Sequence, residues 1–392
     1  MPKLDSRPAK YRRQTRATIA TDAPAPVAPL AALLALVATW ADRSSSPYTV
    51  LASSAVYTAM SVLRSPGLPD CPPESVDPAW FARTAGFAKR RPFALERHGA
   101  LTVATVGKTG YSTETRPADA PAPRPRGRIV ALHPADWSKG GAVVRAVAMA
   151  RETRMPQPTD YVHLDSLVSA TDGHRMMRLV PAGAADMAGA DVMVPSELVR
   201  RVAKLLACAP VVDLYLRTSP LRARTNEAAG LDLVTIVGRL DDGTSWEVTD
   251  GATDQRCPYG DAPVPSETRP IVVDADDLRA LASCFKAGTV AIWDSGAMLA
   301  RVSGGNGLGT TLERMPRSAP AVTVQARYLL DLPLPKRGPV TLNVSGPLDP
   351  LTVLGVAVCP VHPGDDPLAE ILVDLSASGL EHDAPASVRL AS

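Results

Sequence analysis

The run Thr171-Asp172-Gly173-His174-Arg175 brings a carboxylate, an imidazole and a guanidinium into one short stretch of the chain. A metal site would need further ligands, and no other His or Cys lies at a useful spacing. A catalytic histidine would need an identifiable nucleophile and an orienting carboxylate, which the sequence does not supply. We therefore predict no catalytic residue and no metal here. The Asp-Gly pair is typical of a tight turn in which the Asp bonds its own backbone.

A second candidate for chemistry is the glycine-rich stretch Ser303–Gly309. A phosphate-binding loop of the P-loop type would carry a Lys followed by Ser or Thr and would lie in a βαβ unit. Neither feature is present in the sequence. The stretch is typical of a hairpin or loop, and we predict no cofactor.

The five cysteines are odd in number, lie far apart and form no CxxC pair; they are Cys71, Cys208, Cys257, Cys284 and Cys359. Neither a disulfide framework nor a zinc site is expected from such spacing. A reducing cytoplasm is the compartment that fits this cysteine usage best.

The 392 residues, of which 45% are hydrophobic and 21% charged, indicate a soluble globular protein of two or three domains. The net charge of +2 is too small to indicate nucleic-acid binding by itself. Basic residues gathered on one surface could still bind DNA. The apolar run from Val27 to Ala41 resembles a signal peptide, but it is too short to span a bilayer and begins among prolines. We predict a buried helix there.

A pattern of β-prone stretch, capping residue and apolar-periodic helix recurs along the chain. Besides the run from Val27, it predicts helices at Ala79–Arg90, Ala135–Arg151, Glu197–Ala207, Ala275–Phe285 and Gln325–Leu332. Stretches such as Leu101–Val106 and Leu233–Val237 alternate or are β-branched, which is typical of strands. Six helices with intervening strands predict an α+β fold of three repeated domains, each with two helices packed on antiparallel sheet.

Two proline-rich stretches, residues 118–127 and 258–269, have the composition of linkers. They divide the chain into domains at residues 25–126, 127–262 and 263–364. A basic tail at residues 1–24 and a C-terminal tail at residues 365–392 complete the predicted organisation.

The stretch Ser169–Met176 closely resembles the Ala-Thr-Asp-Gly-His-Arg-Leu signature in the middle domain of bacterial DNA sliding clamps, the beta subunits of DNA polymerase III. Less specific similarity extends over about residues 27–363. The chain departs from the family in a tail after His362, a shortened stretch between Cys284 and Ala321, and an apparent insertion at residues 241–254. The resemblance implies three clamp domains that form half of a ring, in a protein that is not an enzyme.

In that family the signature forms one wall of a hydrophobic pocket for short peptides of polymerases, the clamp loader and repair proteins. Carried over residue by residue, the resemblance implies that the pocket is lined by Thr171, Gly173, His174, Arg175 and Met176. It also implies that Pro265 and Cys359 lie on its opposite sides. Met176 stands where the family has Leu, which keeps an apolar and more adaptable surface. Cys359 replaces a larger Met, which would widen the pocket.

The helices are mostly basic although the whole chain is nearly neutral, a pattern that suits sequence-independent contact with the phosphates of double-stranded DNA. The residues predicted to face DNA are Arg83, Lys89, Arg90, Lys139, Arg145, Arg151, Arg200, Arg201, Lys204 and Arg327. The alternative for any one of them is a solvated helix face.

Two functions remain open from the sequence. One is a sliding clamp, a homodimeric ring that encircles duplex DNA and tethers polymerase and repair proteins to it. The other is a clamp-like adaptor or decoy that binds clamp-binding peptides without encircling DNA, which the shortened third domain and altered C-terminus would suit.

Overall fold

The computed structural model describes residues 27–43, 49–58, 61–88, 91, 93–119, 127–150, 158–220, 232–251, 267–302, 308–310, 320–330, 332, 334–347 and 349–361. The chain divides into two compact units. Unit 1 comprises the residues up to 59 together with 65–119, and unit 2 comprises residues 60–64 and those from 120 onward.

Helices lie beside antiparallel strands in both units, as the α+β prediction required. The described residues form eight helices: α1 (Val27–Arg43), α2 (Pro78–Ala88), α3 (Pro134–Trp137), α4 (Ala142–Val147), α5 (Ala184–Met187), α6 (Ser196–Cys208), α7 (Ala275–Cys284) and α8 (Ala326–Leu330). They also form 24 strands: β1 (Thr49–Ala52), β2 (Ala55–Tyr57), β3 (Ser61–Arg64), β4 (Glu74–Val76), β5 (Phe93–His98), β6 (Leu101–Val106), β7 (Thr109–Glu114), β8 (Arg116–Pro117), β9 (Ile129–Ala131), β10 (Tyr161–Leu164), β11 (Val168–Thr171), β12 (Arg175–Leu179), β13 (Val192–Pro195), β14 (Asp213–Pro220), β15 (Asp232–Arg239), β16 (Ser245–Gly251), β17 (Arg269–Asp274), β18 (Gly288–Ile292), β19 (Met298–Val302), β20 (Leu308–Thr310), β21 (Val322–Gln325), β22 (Pro339–Val344), β23 (Leu351–Val353) and β24 (Val356–Val358).

Unit 1 is built on the packing of α1 against α2. Leu33 and Leu34 of α1 and Phe81 of α2 are fully buried, so the apolar run from Val27 forms the buried helix that its composition predicts. Asp77 caps α2 by accepting hydrogen bonds from the backbone N–H groups of Ala79 (3.0 Å) and Trp80 (3.3 Å). Strands β8, β4, β1 and β2 are successive neighbours in one sheet, and β5, β6 and β7 form another. None of the described helices is long and apolar enough to cross a membrane.

The central element of unit 2 is an eight-stranded sheet in the order β13-β10-β11-β12-β24-β23-β22-β17. Strands β12 and β24 join its two halves, with Arg175 opposite Val358 and Met177 opposite Val356. This pairing places the strand after the signature turn beside the last strand of the described chain. Two further strand groups, β3-β16-β15-β14-β9 and β20-β19-β18-β21, complete the unit.

The helix predicted at Ala135–Arg151 is wrong as a continuous element, because α3 and α4 are separated by a turn. Gly140 in that turn has φ +88°, a conformation that favours glycine. A side chain on Gly141 would place its Cβ only 2.1 Å from the carbonyl oxygen of Ala135. The two adjacent glycines therefore break the helix where its apolar periodicity alone would continue it. Residues 151–157, at its predicted end, lie outside the described residues.

The apparent insertion at residues 241–254 contains strand β16, which pairs along its length with β15 and also with β3. Trp246 of this strand is 1% exposed and lies over Gly238, where a Cβ would come within 2.3 Å of the indole ring. The stretch is thus part of the core and not a surface addition. Its burial follows from a pairing with β15 that the local sequence does not reveal.

Candidate functional site

The signature run forms a tight turn between β11 and β12, closed by its own side chains. Gly173 has φ +89°, which only glycine adopts readily. The Thr171 hydroxyl donates a hydrogen bond to the carbonyl oxygen of Arg175 (2.6 Å) and accepts one from the N–H of Gly173 (3.0 Å). The expectation of a turn with local side-chain hydrogen bonds is confirmed.

Asp172 is the acceptor that holds this turn together. One carboxylate oxygen accepts the backbone N–H groups of His174 (2.9 Å) and Arg175 (2.7 Å). The other accepts Nε (3.0 Å) and Nη2 (2.8 Å) of the Arg175 guanidinium. Partial burial alone would raise the pKa of Asp172, but these hydrogen bonds and the charge of Arg175 outweigh it and lower that pKa below its ordinary value. The pair Asp172–Arg175 is therefore an ionised, internally compensated unit.

The last strand brings Cys359 to the signature turn, since its backbone N–H donates to the carbonyl oxygen of His174 at 2.9 Å. Partial burial and, secondarily, the Asp172 carboxylate raise the pKa of the Cys359 thiol. Met176 is opposite Thr171 on one side and Ala357 on the other. Because side chains alternate along a strand, Met176 lies on the other face of the sheet from Arg175.

The ring of Tyr328, in α8 beside β18 and β21, packs against the signature turn. The His174 imidazole stacks on it with 5.2 Å between ring centroids and 20° between planes. The guanidinium carbons of Arg175 and Arg327 lie 5.3 Å and 4.7 Å from the ring centroid. Nη2 of Arg327 also donates a hydrogen bond to the tyrosine hydroxyl at 2.7 Å. The side chains of His174, Arg175 and Arg327 thus all pack on the ring of Tyr328.

A cavity of about 610 Å³ opens at this junction, a volume in the range of small-ligand pockets. Its lining combines apolar side chains with three cationic ones; the residues are Ala148, Met149, Ala150, Asp172, His174, Arg175, Lys286, Arg327, Tyr328 and Leu330. Of the residues predicted for a peptide pocket, His174 and Arg175 line the cavity, whereas Thr171, Gly173, Met176 and Cys359 do not. Pro265 lies outside the described residues.

Sequence reasoning missed Tyr328, Lys286 and Met149, which reach this cavity from three separate segments of the chain. The only local signal was the Arg327-Tyr328 pair, a cation beside the single aromatic residue of the last predicted helix. Arg327 was predicted to face DNA, but its guanidinium lies against Tyr328 in the cavity lining.

This arrangement of sheets and helices recurs in solved structures. A DNA polymerase III beta subunit from Thermotoga maritima superposes with a TM-score of 0.60 at 13% identity, over 86% of this chain and 98% of that one. A Pseudomonas aeruginosa sliding clamp bound to griselimycin gives 0.61 at 13% identity, over 85% and 97%. The beta subunit from Streptococcus pyogenes gives 0.58 at 16% identity, over 86% and 99%. The fold is that of the bacterial sliding clamp.

No protein-family model and no curated protein matches the sequence. The likeness to sliding clamps is therefore shown by the fold and not by overall sequence similarity. The resemblance inferred from the signature is confirmed at the level of the fold.

Most of the predicted DNA-facing residues that the structure describes are at least partly exposed on the clamp fold. Arg83, Lys139 and Lys204 are exposed, and Arg145 is partly exposed. Arg200 and Arg201 form ion pairs with Glu197 at 3.8 Å and 3.3 Å, one turn earlier on α6. Partial burial lowers the pKa of Arg200. The remaining predicted residues, Lys89, Arg90 and Arg151, lie outside the described residues.

Acidic, histidine and cysteine side chains are scattered over the clamp fold. Within the part of the chain that the structure describes, no three of them come close enough together to hold a metal ion. The nearest approach to catalytic geometry is His163, whose Nε2 is 2.9 Å from an oxygen of Asp191 and whose Nδ1 is 3.5 Å from the Ser169 hydroxyl. Ser169 is only 5% exposed, so a substrate would not reach its hydroxyl. We regard this trio as structural.

Proposed function

We propose that the protein is a DNA sliding clamp, a homodimeric ring that encircles duplex DNA and tethers polymerase, clamp loader and repair proteins through short linear peptides. The observation that carries the proposal is the cavity in unit 2 that is lined by the signature turn, the segment after α4, Lys286 after α7, and α8. The clamp fold supplies the framework, and the cavity supplies a place where a partner could be held.

The chemistry of the cavity suits a peptide. The partly exposed Leu330 offers an apolar wall, and the exposed His174 imidazole, stacked on the buried Tyr328 ring, offers a flat surface. Ligand pockets commonly combine such apolar walls with a few convergent polar groups. A short segment with apolar side chains would bury surface here, while the signature turn, already closed by internal hydrogen bonds, would reorganise little.

The pocket assignment extends beyond the cavity in this proposal. Cys359 lies beside the signature turn and would contact a peptide that continues past the cavity. Met176 lies on the other face of the sheet from Arg175, and its contact with a peptide stays a prediction. Thr171 and Gly173 would act by shaping the turn, and Pro265, outside the described residues, stays a prediction. Arg327 is reassigned from the DNA surface to the peptide pocket, because it lies in the cavity lining.

The other basic residues would hold DNA only weakly, as sliding demands. Exposed cations on helices, such as Arg83, Lys139 and Lys204, can attract phosphates through water without reading bases. The net charge of +2 fits a ring whose basic residues are gathered on one surface. The three domains at residues 25–126, 127–262 and 263–364 would form half of this ring.

The test is the solution mass, measured by light scattering at several protein concentrations. A clamp requires a dimer with twice the 41.2 kDa mass of the chain. A monomer that persists at every concentration would contradict the ring and favour the adaptor that binds peptides without encircling DNA.

A further inference from the structure

One face of the strand group β3-β16-β15-β14-β9 in unit 2 is turned to solvent. Along β14, Leu214 and Leu216 are buried, whereas Tyr215 and Arg217 are partly exposed. Side chains alternate between the two faces of a strand, so Tyr215 and Arg217 lie together on the solvent face. This face contains none of the residues that the sequence predicted to contact DNA.

Helix α6, which carries three of those predicted residues, lies on the opposite face. Asp250 shares that opposite face with the buried Trp246 and Val248 of β16. Burial raises the pKa of Asp250, and the charges of Arg201 and Glu197 in α6 act on it in opposite directions. The solvent face of the sheet is therefore a surface separate from the basic side of α6.

On the solvent face, two guanidiniums pack on the ring of Tyr215. The guanidinium carbon of Arg217 is 4.9 Å from the ring centroid, and that of Arg239, in β15, is 5.7 Å from it. Nη2 of Arg217 also donates a hydrogen bond to the tyrosine hydroxyl at 2.9 Å. Arg239 is exposed, so its guanidinium is accessible to a ligand. We call Tyr215, Arg217 and Arg239 the outer arginine site.

The charge of the outer arginine site is positive, because no carboxylate among the side chains that the structure describes is ion-paired with either arginine. Arg64, on the same face, is paired with Glu247 at 3.2 Å. Asp213 is opposite Arg239 in the ladder of β14 and β15 and offsets part of its charge without an ion pair. Two guanidiniums against one carboxylate leave this part of the face attractive to an anion.

We propose that the outer arginine site binds single-stranded nucleic acid, with an unpaired base stacked on a guanidinium and the adjoining phosphates attracted by the two charges. Unpaired bases stack on guanidinium planes as well as on aromatic rings, with little dependence on the identity of the base. Ile129 of β9 is opposite Arg217 and 60% exposed, and it offers an apolar contact that suits a base and not a phosphate.

Two other anionic partners fit this face less well. The bases of duplex DNA are stacked on each other, so a duplex would use the charges but not the flat guanidinium surfaces. An acidic peptide would likewise leave those surfaces and Ile129 without a planar partner. The inference is independent of the proposed ring and of the peptide pocket, since neither includes the outer arginine site.

The test compares two fluorescein-labelled strands of about 15 nucleotides, an oligothymidylate and an abasic strand with the same number of phosphates, titrated with the full-length protein by fluorescence anisotropy. The oligothymidylate should bind about tenfold more tightly, the order of magnitude that one stacked base contributes. The double variant Arg217→Gln/Arg239→Gln should reduce this preference to about twofold or less.

A matched control removes two positive charges elsewhere. The double variant Lys108→Gln/Arg116→Gln alters exposed cations of unit 1 and should keep the full preference for the oligothymidylate. Circular dichroism shows whether each variant is folded before affinities are compared. If the Arg217→Gln/Arg239→Gln variant does not fold, the single variant Arg239→Gln decides, because this side chain is exposed; it should lower the preference to about threefold.

Three results would overturn the inference. Equal affinity of the wild-type protein for the two strands, or no binding of either, would show that no base is stacked. A full preference in the arginine variants would place the stacked base elsewhere. If polyglutamate displaces the oligothymidylate as effectively as unlabelled oligothymidylate does, the face recognises charge alone and suits an acidic protein partner. None of these results bears on the proposed clamp, which the solution mass tests.

Discussion

Two arginines, Arg175 and Arg327, contact the ring of Tyr328 and differ in how their charge is balanced. Arg175 follows the signature turn, is 8% exposed and has both carboxylate contacts and backbone contacts to Asp172. Arg327 lies on the short helix α8, is exposed and reaches only the ring and hydroxyl of Tyr328 among the contacts described. The charge of Arg175 is therefore balanced within the fold, whereas no described carboxylate is ion-paired with Arg327.

The difference shows that residue type alone does not assign a role. A guanidinium with a buried carboxylate partner stabilises the protein and contributes little attraction outward, because its field is compensated at short range. A guanidinium that packs on an aromatic ring has no such compensation, so its charge still attracts anions outside the protein. Substitution of Asp172 or Arg175 should therefore mainly lower the stability of the protein. Substitution of Arg327 should mainly lower its affinity for a peptide.

The largest effect on stability is expected from Asp172→Asn, which removes the carboxylate that pairs with Arg175. The amide preserves shape but loses the charge that accepts four donors, and the free energy of unfolding should fall by about 3 kcal/mol. Urea denaturation followed by circular dichroism measures the change. A loss below about 0.5 kcal/mol would show that Asp172 does not hold the turn, and the comparison would fail.

The contribution of Asp172 should also depend on pH in a fixed direction. Its pKa in the folded protein lies below the value of about 3.9 for an unfolded chain, so its ionised form stabilises the fold at neutral pH. The stability difference between wild type and Asp172→Asn should be full above that unfolded value and shrink as the pH falls through the lower, folded pKa. A difference that grows on acidification would contradict the assigned sign.

The tyrosine shared by both arginines should matter most for binding. Tyr328→Ala removes the surface on which His174 and Arg327 are held, and peptide affinity should fall by about thirtyfold. Tyr328→Phe keeps the ring and loses only the hydroxyl contact to Arg327, so its affinity should fall far less. Anisotropy titrations with one labelled peptide compare the two, and equal losses would place the hydroxyl, and not the ring, at the centre of the site.

Replacing each of the two arginines by Met compares their contributions to stability. Arg175→Met should lower the free energy of unfolding by about 2 kcal/mol, since it leaves Asp172 without its partner. Arg327→Met should lower it by less than about 1 kcal/mol, the scale of one exposed cation–π contact. Denaturation of both variants under one set of conditions is the measurement. Equal losses would mean that Arg327 is also a structural residue.

The smallest effect is expected far from the pocket, on the predicted DNA surface. Lys204→Gln should weaken binding to duplex DNA of any sequence and lower the slope of log affinity against log salt by about 1. The same substitution at Lys108 should leave the slope unchanged. A sequence-dependent loss would argue against a sliding contact.

The sequence predicted the features of this fold that are held together locally. The turn at residues 171–175 was foreseen because its hydrogen bonds join near neighbours, and α7 was foreseen because Asp274 caps it through Asp276 and Asp277. The buried helix α1 followed from an apolar run that is too short for a membrane.

Features that depend on contacts between distant segments could not be predicted from the local sequence. The cavity joins residues near 149, 174, 286 and 328, and no local pattern reports such a meeting. The burial of strand β16, within the stretch predicted as an insertion, could not be predicted because its pairing partners β15 and β3 are specified elsewhere in the chain. The break between α3 and α4 could have been predicted, since two adjacent glycines stand where the apolar periodicity alone would continue the helix.

The central proposal, that the protein encircles DNA, is tested most directly by asking whether the protein stays on circular DNA but not on linear DNA. The protein is diluted to separate its subunits and concentrated again in the presence of nicked circular plasmid, and the plasmid is then isolated by gel filtration in high salt. A closed ring should remain on the circle and be lost once a restriction enzyme linearises it. Equal retention on circular and linear DNA, or no retention on either, would contradict the account.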